Sequence, residues 1–450
     1  MFVFSLRVSF PKIAQRVAIE IILAAGLSLS CAAAQETAAM FCGDAGHSGI
    51  YRTTAPEALS LKWAFATGES IVSSPTVLNG TVYVGSSDNK LYAIDAKTGQ
   101  QKWHFLTKGN VASTPAVSGA SVFVLSLDGN LYALDAASGS QKWVFATGGE
   151  HRFSAPGVGY LQPSTEMMPD PWDLFISSPT VVDGIVYFGS GDNHVYALDA
   201  ATGALKWKFK TGDVVHASPA VANGLVFIGS FDTYFYALNA VTGELVWKFK
   251  TKDDPAGHLM AGIPGSASVG NGLVYFGCRD ANVYALNAKN GALRWQFSTA
   301  QSWVIATPAV VGEEIYFTTS DTHKFEVLNA LTGEEKYSLP YHIFAFSSPA
   351  IAGDRAYFGT FEGIVYSVDL KTKKYRDTFS TSGRRLNGPR LLDENGELLP
   401  SVWVGDTLDD VIVTLRTKIF SLGSILSSPA VADGIVYVGS VDGHLYALGR

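Results

Sequence analysis

Short hydrophobic and aromatic runs recur along the chain about every forty residues, and glycine-containing polar turns separate them. In the first complete unit, residues 82–86 and 91–96 are strand-like, and Asn-Gly at 79–80 and Thr-Gly at 98–99 are turn-like. Val, Tyr and Phe favour strands, and these turn residues tolerate the positive φ of hairpin turns. Each unit therefore holds four short strands, A to D. Such repeats predict an all-β propeller, whereas a helical solenoid would show a period of 3.6 residues.

A Ser-Pro-Ala/Thr-Val block marks the start of strand A in each unit. Ala267 takes the place of proline in one copy, and the prolines of the other copies are Pro75, Pro115, Pro179, Pro219, Pro308, Pro349 and Pro429. Eight blocks predict eight blades. Residues 61–65 resemble a strand D that precedes any strand A, and the last unit ends without a strand D. We therefore expect the N-terminal strand to complete the last blade and close the ring.

The first 34 residues have the features of a secretory signal. Arg7, Lys12 and Arg16 precede the apolar run 21–29, and small residues follow up to a predicted cleavage site near Ala34. Lipid attachment at Cys31 is the alternative, and both interpretations predict a periplasmic or secreted protein. Residues 35–60 then form a lead-in and 61–450 the propeller. No later stretch has the 18 or more apolar residues of a transmembrane helix.

Conserved spacing within the repeats points to a known family of propellers. The pattern Ala93-x-Asp95-x-x-Thr98-Gly99-x-x-x-Trp103 resembles the tryptophan-docking motif of PQQ-like (quinoprotein-type) propellers. The expected docking residues are Trp63, Trp103, Trp143, Trp207, Trp247 and Trp295. The family includes dehydrogenases that depend on PQQ (pyrroloquinoline quinone) and a non-enzymatic lipoprotein of the outer-membrane β-barrel assembly machinery. The resemblance therefore implies the fold and leaves the function open.

Three connections between strand D and the next strand A are longer than the standard one, after Trp143, after Trp247 and after Asp377. In an up-and-down blade all D–A connections lie on the same face as the B–C turns. We call this face the D–A face, and we expect binding residues to be concentrated there. Residues 384–424 of the longest connection are either an insertion or a decayed ninth blade, and the missing repeat signature favours an insertion.

Unusual residues of the D–A face are candidates for ligand binding. Two B–C turns, 277–281 and 318–324, depart from the repeat pattern. The candidates are Arg152, Trp172, Arg279, Asp280, Trp303, Asp321, His323, Arg384 and Arg385. Guanidinium groups suit carboxylates and phosphates, and tryptophan suits flat rings, so this set predicts an anionic, planar ligand. The alternative is that the arginines pair with nearby aspartates, among them Asp170, Asp173, Asp253 and Asp254.

Two functions follow as hypotheses. The first is a monomeric binding or scaffold module for a protein partner in the cell envelope or a small anionic ligand. The second, implied by the resemblance, is a dehydrogenase of small alcohols or sugars that uses PQQ and Ca²⁺. No adjacent Cys-Cys pair and no Cys-x-x-Cys-His is present, and no catalytic residue can be assigned. Cys42 and Cys278 are expected to be thiols rather than a disulfide. The net charge of −7 argues against nucleic-acid binding.

Overall fold

The computed structural model describes residues 38–252 and 262–450, and these residues form eight four-stranded antiparallel blades of a β-propeller. The prediction of eight blades is confirmed. The predicted signal peptide with Cys31 and Ala34, and the aspartates Asp253 and Asp254, lie outside the described residues. In the described part of the chain, no helix is both long and apolar enough to cross a membrane.

Each blade runs from strand A at the centre to strand D at the rim. Blades one to four consist of β3–β6 (Thr76–Leu78, Thr81–Gly85, Lys90–Asp95, Gln101–Leu106), β7–β10 (Ala116–Ser118, Ser121–Leu125, Asn130–Asp135, Gln141–Ala146), β13–β16 (Thr180–Val182, Ile185–Ser190, His194–Asp199, Leu205–Lys210) and β17–β20 (Ala220–Ala222, Leu225–Gly229, Tyr234–Asn239, Leu245–Lys250). Blades five to seven consist of β21–β24 (Ser268–Gly270, Leu273–Gly277, Asn282–Asn287, Leu293–Ser298), β25–β28 (Ala309–Val311, Glu314–Thr318, Lys324–Asn329, Glu335–Pro340) and β29–β32 (Ala350–Ala352, Arg355–Gly359, Ile364–Asp369, Lys374–Ser380). Strands B and C are buried on both faces because each blade is covered by its neighbours.

The eighth blade closes the ring as the sequence predicts. It contains β33–β35 (Ala430–Ala432, Ile435–Gly439, His444–Leu448), and its outer strand is β2 (Leu61–Ala66) from the other end of the chain. Leu61 lies opposite Leu448 and Ala66 opposite His444 in the antiparallel register. The closure therefore joins the two ends of the propeller by backbone hydrogen bonds.

The docking tryptophans connect each blade to the next. The indole Nε1 of Trp103 donates a hydrogen bond to the carbonyl of Ala136 at 3.1 Å. A Cβ added to Gly139, whose φ is +73°, would lie 2.6 Å from Cε3 of the Trp103 ring. Glycine is therefore required twice at this turn, by the left-handed backbone and by the ring packed against it. The same tryptophan–glycine contact recurs at five other junctions between blades, with Gly99 on Trp63, Gly203 on Trp143, Gly243 on Trp207, Gly291 on Trp247 and Gly333 on Trp295.

The region 381–424 is a helical insertion. It contains α1 (Ser382–Leu391), α2 (Leu408–Val413), a π-helical turn (Thr414–Ile419) and two 3₁₀ turns (Pro400–Val402, Phe420–Leu422). This finding excludes a ninth blade. The capping box of Thr407 and Asp410 starts a helical run whose buried side, including Leu415 and Ile419, packs against apolar residues of the insertion and of the D–A loops.

The lead-in crosses the centre of the propeller. Its first described strand, β1 (Ala38–Ala39), pairs with β7 of blade two. The carbonyls of four residues farther along the lead-in then accept hydrogen bonds from strands A of blades four to seven, namely Ala45 from Val221, Gly46 from Val269, Ser48 from Val310 and Gly49 from Ile351. These bonds are 2.7–2.8 Å long. Buried Cys42 lies in this segment, and both it and buried Cys278 are free thiols, as expected.

Candidate functional site

The insertions of the D–A face contact one another above the blades. The first insertion forms a hairpin of β11 (Ser154–Pro156) and β12 (Met167–Pro169) with a 3₁₀ turn (Val158–Tyr160) between its strands. The amide of Gln162 in this hairpin donates to the carbonyl of Asp406 in the helical insertion at 3.1 Å. Two regions that are separated by more than two hundred residues in the sequence are therefore joined in one structure.

A cavity of about 290 Å³ lies where these insertions meet the D–A loops of blades five and six. We call it the aromatic cavity. Five aromatic side chains line it, namely Trp172, Trp303, Phe344, Phe346 and Trp403. Its remaining lining residues are Val158, Gly159, Leu161, Asp170, Pro171, Gln301, Ser320, Asp321 and Val411. The only charged side chains in this set are two carboxylates.

Arg279 lies beside the aromatic cavity and is almost completely buried. Its guanidinium forms an ion pair with Asp170. Its Cζ lies 4.6 Å from the centre of the Trp303 ring and 5.2 Å from that of Phe231. Asp170 also accepts a hydrogen bond from the backbone amide of Trp172 at 2.9 Å. Arg279 thus links two walls of the cavity, and its pairing with Asp170 is the alternative interpretation given above.

Asp280 has a structural role that the repeats share. Its carboxylate accepts hydrogen bonds from the hydroxyl of Tyr284 at 2.5 Å and from the amide of Lys252 at 3.1 Å. The same carboxylate–tyrosine bond occurs in six other blades, namely Asp88–Tyr92, Asp128–Tyr132, Asp192–Tyr196, Asp232–Tyr236, Glu362–Tyr366 and Asp442–Tyr446. Asp280 therefore stabilises its own B–C turn.

Blade six departs from this arrangement, and Asp321 is exposed as a result. Glu326 occupies the position of the tyrosine, and the turn from 319 to 324 is one residue longer than in blade one. Asp321 Oδ2 accepts only a long hydrogen bond, 3.3 Å, from the amide of Trp303. Within the described part of the chain, no Lys, Arg or His side chain lies within ion-pairing distance of Asp321. Asp321 lines the aromatic cavity, and its carboxylate has no counter-charge among the described residues.

His323 adjoins the aromatic cavity through Phe344, with the two ring centres 5.6 Å apart. Burial lowers the pKa of His323, so its imidazole is neutral near pH 7. The nearby His342 is paired with Glu397, with Nδ1 and Oε1 3.5 Å apart. His323 therefore supports an aromatic wall and adds no charge to the cavity.

The other three predicted arginines do not reach the aromatic cavity. Arg384 in α1 lies 3.5 Å from the buried carboxylate of Glu362, and Arg385 donates to the carbonyl of Ser380 at the rim. Arg152 lines a separate, wider cleft of about 770 Å³ that also contains Arg416. The predicted cluster thus divides, and Trp172, Arg279, Trp303, Asp321 and His323 are the members that lie together.

Phe344, Phe346 and Trp403 were not among the sequence candidates. A signal for two of them is present, because residues 343–346 (Ile-Phe-Ala-Phe) occupy the positions that hold Gly-Asn-Val-Ala (109–112) in the equally long D–A loop after blade one. Trp403 lies in the helical insertion, which has no counterpart in the other repeats. Its approach to Phe344, with ring centres 6.3 Å apart, depends on the tertiary structure.

Apart from the aromatic cavity, a buried cluster of polar side chains lies where the first insertion meets the loop that leads into blade four. His216 Nδ1 and Asp173 Oδ1 are 2.7 Å apart, and His216 Nε2 lies 3.7 Å from Oε2 of Glu150. Burial raises the pKa of Glu150 to about 7. Burial alone would lower the pKa of His216, but Asp173 and Glu150 more than offset this effect and raise it. The cluster of Glu150, Asp173 and His216 therefore retains a proton near neutral pH. It also joins the first insertion to blade four.

Comparison with known proteins identifies the family. A family model described as "Outer membrane protein assembly factor BamB" matches residues 60–156, 161–302 and 260–399. The chain belongs to this family. No protein of curated function matches it significantly. The PQQ-like propeller recognised in the repeats is thereby confirmed.

Solved structures with the same fold include members with different functions. BamB from Moraxella catarrhalis is 15% identical, with a TM-score of 0.60 over 87% of this chain and 98% of that chain. A europium-containing methanol dehydrogenase is 14% identical, with a TM-score of 0.65 over 92% and 98%. A quinohemoprotein alcohol dehydrogenase from Comamonas testosteroni is 14% identical, with a TM-score of 0.65 over 90% and 80%. Identities this low establish the fold alone.

The aromatic cavity does not fit PQQ with Ca²⁺. PQQ is a tricarboxylate, whereas the charged residues lining the aromatic cavity are Asp170 and Asp321, and Arg279 is already paired with Asp170. Calcium requires six to eight oxygen ligands. Among residues 38–252 and 262–450, no three His, Cys, Asp or Glu side chains are placed to share a metal ion. The arrangement is that of an acidic, aromatic cavity.

Proposed function

We propose that the protein is a non-catalytic binding module of the cell envelope, and that the aromatic cavity receives a group of its ligand or partner. One observation carries this proposal: insertions from distant parts of the sequence come together on the D–A face to build the aromatic cavity. A chain made of the standard repeats alone would form a propeller without these insertions and without this cavity. Membership of the BamB family supports a scaffold role in the envelope, as does the predicted secretory signal.

The chemistry of the cavity supports binding over dehydrogenation. Aromatic rings provide most of its large side chains, and such rings contribute strongly to binding sites through apolar area and ring stacking. The dehydrogenase alternative requires basic groups for the carboxylates of PQQ and oxygen ligands for Ca²⁺. The aromatic cavity has no basic lining residue, and the described residues include no group of three His, Cys, Asp or Glu side chains placed to share a metal ion. The expected anionic ligand also fits poorly in the aromatic cavity, because two of the four predicted arginines, Arg279 and Arg384, are paired with buried carboxylates.

The exposure of Trp403 offers a direct test. Trp403 lines the cavity and is 47% exposed, so its replacement should change binding more than folding. We expect Trp403→Ala to reduce capture of envelope partners by the purified protein at least about tenfold. Val241→Ala is the matched control, because Val241 is 74% exposed in the C–D turn on the opposite face. Equal capture by both variants would exclude the D–A face as the binding surface.

A second measurement separates the proposal from the dehydrogenase alternative. PQQ and Ca²⁺ are added to the purified protein, and both binding and dye-coupled oxidation of small alcohols and sugars are recorded. The proposal predicts no stoichiometric PQQ binding at micromolar concentration and no oxidation. Stoichiometric binding with turnover would replace the binding module by an enzyme.

A further inference from the structure

We infer that the aromatic cavity binds an alkylammonium group, an inference that rests on the proposed binding function and specifies its ligand. The inference is based on one observation: the unpaired carboxylate of Asp321 and five aromatic rings line the same small cavity. The ligand class is the organic ammonium ion, presented either by a small molecule such as a quaternary ammonium compound or by a lysine side chain of a peptide.

The charge of the cavity comes from Asp321. The second carboxylate, Asp170, is neutralised by Arg279 and also accepts the amide of Trp172. Asp321 has no such partner within the described residues. The neighbouring Lys324 is directed to Glu326, with Nζ and Oε1 3.7 Å apart, and His323 is uncharged near pH 7. One negative charge therefore faces the cavity, and an opposite charge placed a few ångströms away would be attracted by it.

The aromatic lining favours the same class of ligand. The faces of Trp, Tyr and Phe rings carry negative electrostatic potential and attract ammonium and guanidinium ions. The protein already uses this attraction beside the cavity, where the Arg279 guanidinium lies over the Trp303 ring. Trp172 and Trp403 are both in contact distance of Phe344, with ring centres 6.0 and 6.3 Å apart. The rings therefore form a continuous wall rather than isolated patches.

The size of the cavity restricts what can enter. Its volume of about 290 Å³ is at the lower end of the range for ligand pockets, roughly 300–1,000 Å³. A trimethylammonium head or the end of a lysine side chain is compatible with that volume. A carboxylate or phosphate would instead be placed near Asp321 and would be repelled. A neutral group of equal shape would bury the same apolar area but gain nothing from Asp321.

The experiment compares probes of one shape and three charges. Choline, the neutral 3,3-dimethylbutan-1-ol and the anionic 3,3-dimethylbutanoate are titrated into the full-length mature protein, with tryptophan fluorescence and calorimetry as readouts. We expect choline to bind at least about tenfold more tightly than the neutral isostere, and the anion to bind most weakly. Equal affinity for choline and the neutral isostere would overturn the inference.

A variant pair tests the role of the carboxylate. Asp321→Asn should remove the preference for choline over the neutral isostere, because it deletes the charge and keeps the shape. Glu313→Gln, an exposed carboxylate variant at the A–B turn of blade six, should leave the preference unchanged. Both variants should melt at the wild-type temperature. An unchanged preference in Asp321→Asn would overturn the inference even if choline binds.

Two further arms identify the source of the ammonium and separate this inference from the function on which it rests. Nα-acetyl-lysine amide and its Nε-acetylated form are compared, because only the first carries the charge. Binding of choline alone indicates a free amine, and binding of the lysine derivative indicates a peptide. If neither binds while the Trp403→Ala variant still loses envelope partners, the ammonium inference fails and the binding module stands.

Discussion

The guanidinium carbon of Arg279 lies 4.6 Å from the centre of the Trp303 ring, inside the protein rather than in solvent. This contact explains how an arginine in an altered B–C turn contributes to the site. It supports the ring that lines the aromatic cavity, and its charge is used by Asp170. The sequence departure at residues 277–281 therefore marks the wall of the site rather than a direct contact to an anionic ligand.

Replacing one partner of the Arg279–Asp170 ion pair should destabilise the protein more than replacing both partners would suggest. Arg279→Met leaves a buried carboxylate without its partner, so we expect the free energy of unfolding to fall by about 3–5 kcal/mol. Asp170→Asn alone should also be strongly destabilising. The double variant Arg279→Met/Asp170→Asn should lose clearly less than the sum, because no uncompensated charge remains. Chemical denaturation of the four proteins measures this coupling, and additive losses would contradict it.

The tryptophan–glycine contacts between blades predict that two glycine substitutions lower the free energy of unfolding by clearly different amounts. Gly119→Ala adds a methyl group to open space at a left-handed position and should cost about 1–2 kcal/mol. Gly139→Ala carries the same backbone penalty and also places Cβ against the Trp103 ring, so about 1–3 kcal/mol more is expected from overpacking. Equal thermal stability of the two variants would show that the contact between blades one and two is dispensable.

The closure by β2 predicts the result of a deletion. Removing residues 61–68 exposes the edge of β35 and leaves blade eight without its outer strand. We expect the cooperative unfolding transition to be lost in calorimetry. Removal of residues 393–397, an exposed part of the helical insertion, is the control and should retain a single transition. An unchanged transition after the first deletion would disprove the closure as a stabilising element.

Glu150 makes stability depend on pH in a defined direction. Its pKa is raised from 4.5 to about 7 by burial, so the folded protein holds a proton that the unfolded chain releases between these values. The free energy of unfolding that depends on this proton therefore falls as the pH rises from about 4.5 to about 7. We expect the stability of the wild type relative to Glu150→Gln to fall by about 3 kcal/mol over this range.

Comparison of the two proteins is required because other groups titrate in the same range. Burial lowers the pKa of His47 to about 4, and this shift favours the folded state as the pH rises from about 4 to 6.5. His47 is present in both proteins, so its effect cancels in the difference. Denaturation curves at pH 5 and pH 8 are sufficient. A difference in stability that is independent of pH would contradict the assignment to Glu150.

The sequence by itself determined the architecture, because the information is local and repeated. Turn residues, strand patterns and the Thr-Gly-x-x-x-Trp spacing recur often enough to define eight blades and the closure by residues 61–65. The breaks in this pattern also indicated the D–A face, where the aromatic cavity lies. In blade six the carboxylate of Asp321 does not make the usual hydrogen bond to a tyrosine, because the B–C turn is altered. This change is visible in the sequence as one extra residue in the turn.

Only the tertiary structure decided which of the unusual residues lie together and which charges are available. Ion pairs join Arg279 to Asp170, which is 109 residues away in the sequence, and Arg384 to Glu362, so two of the four predicted arginines are neutralised. Trp403 joins Phe344 because a helical insertion without a repeat pattern folds over the face. The position of the lead-in along the inner strands A likewise depends on backbone hydrogen bonds to four distant blades. Such contacts leave no periodic signal in the sequence, since each occurs once.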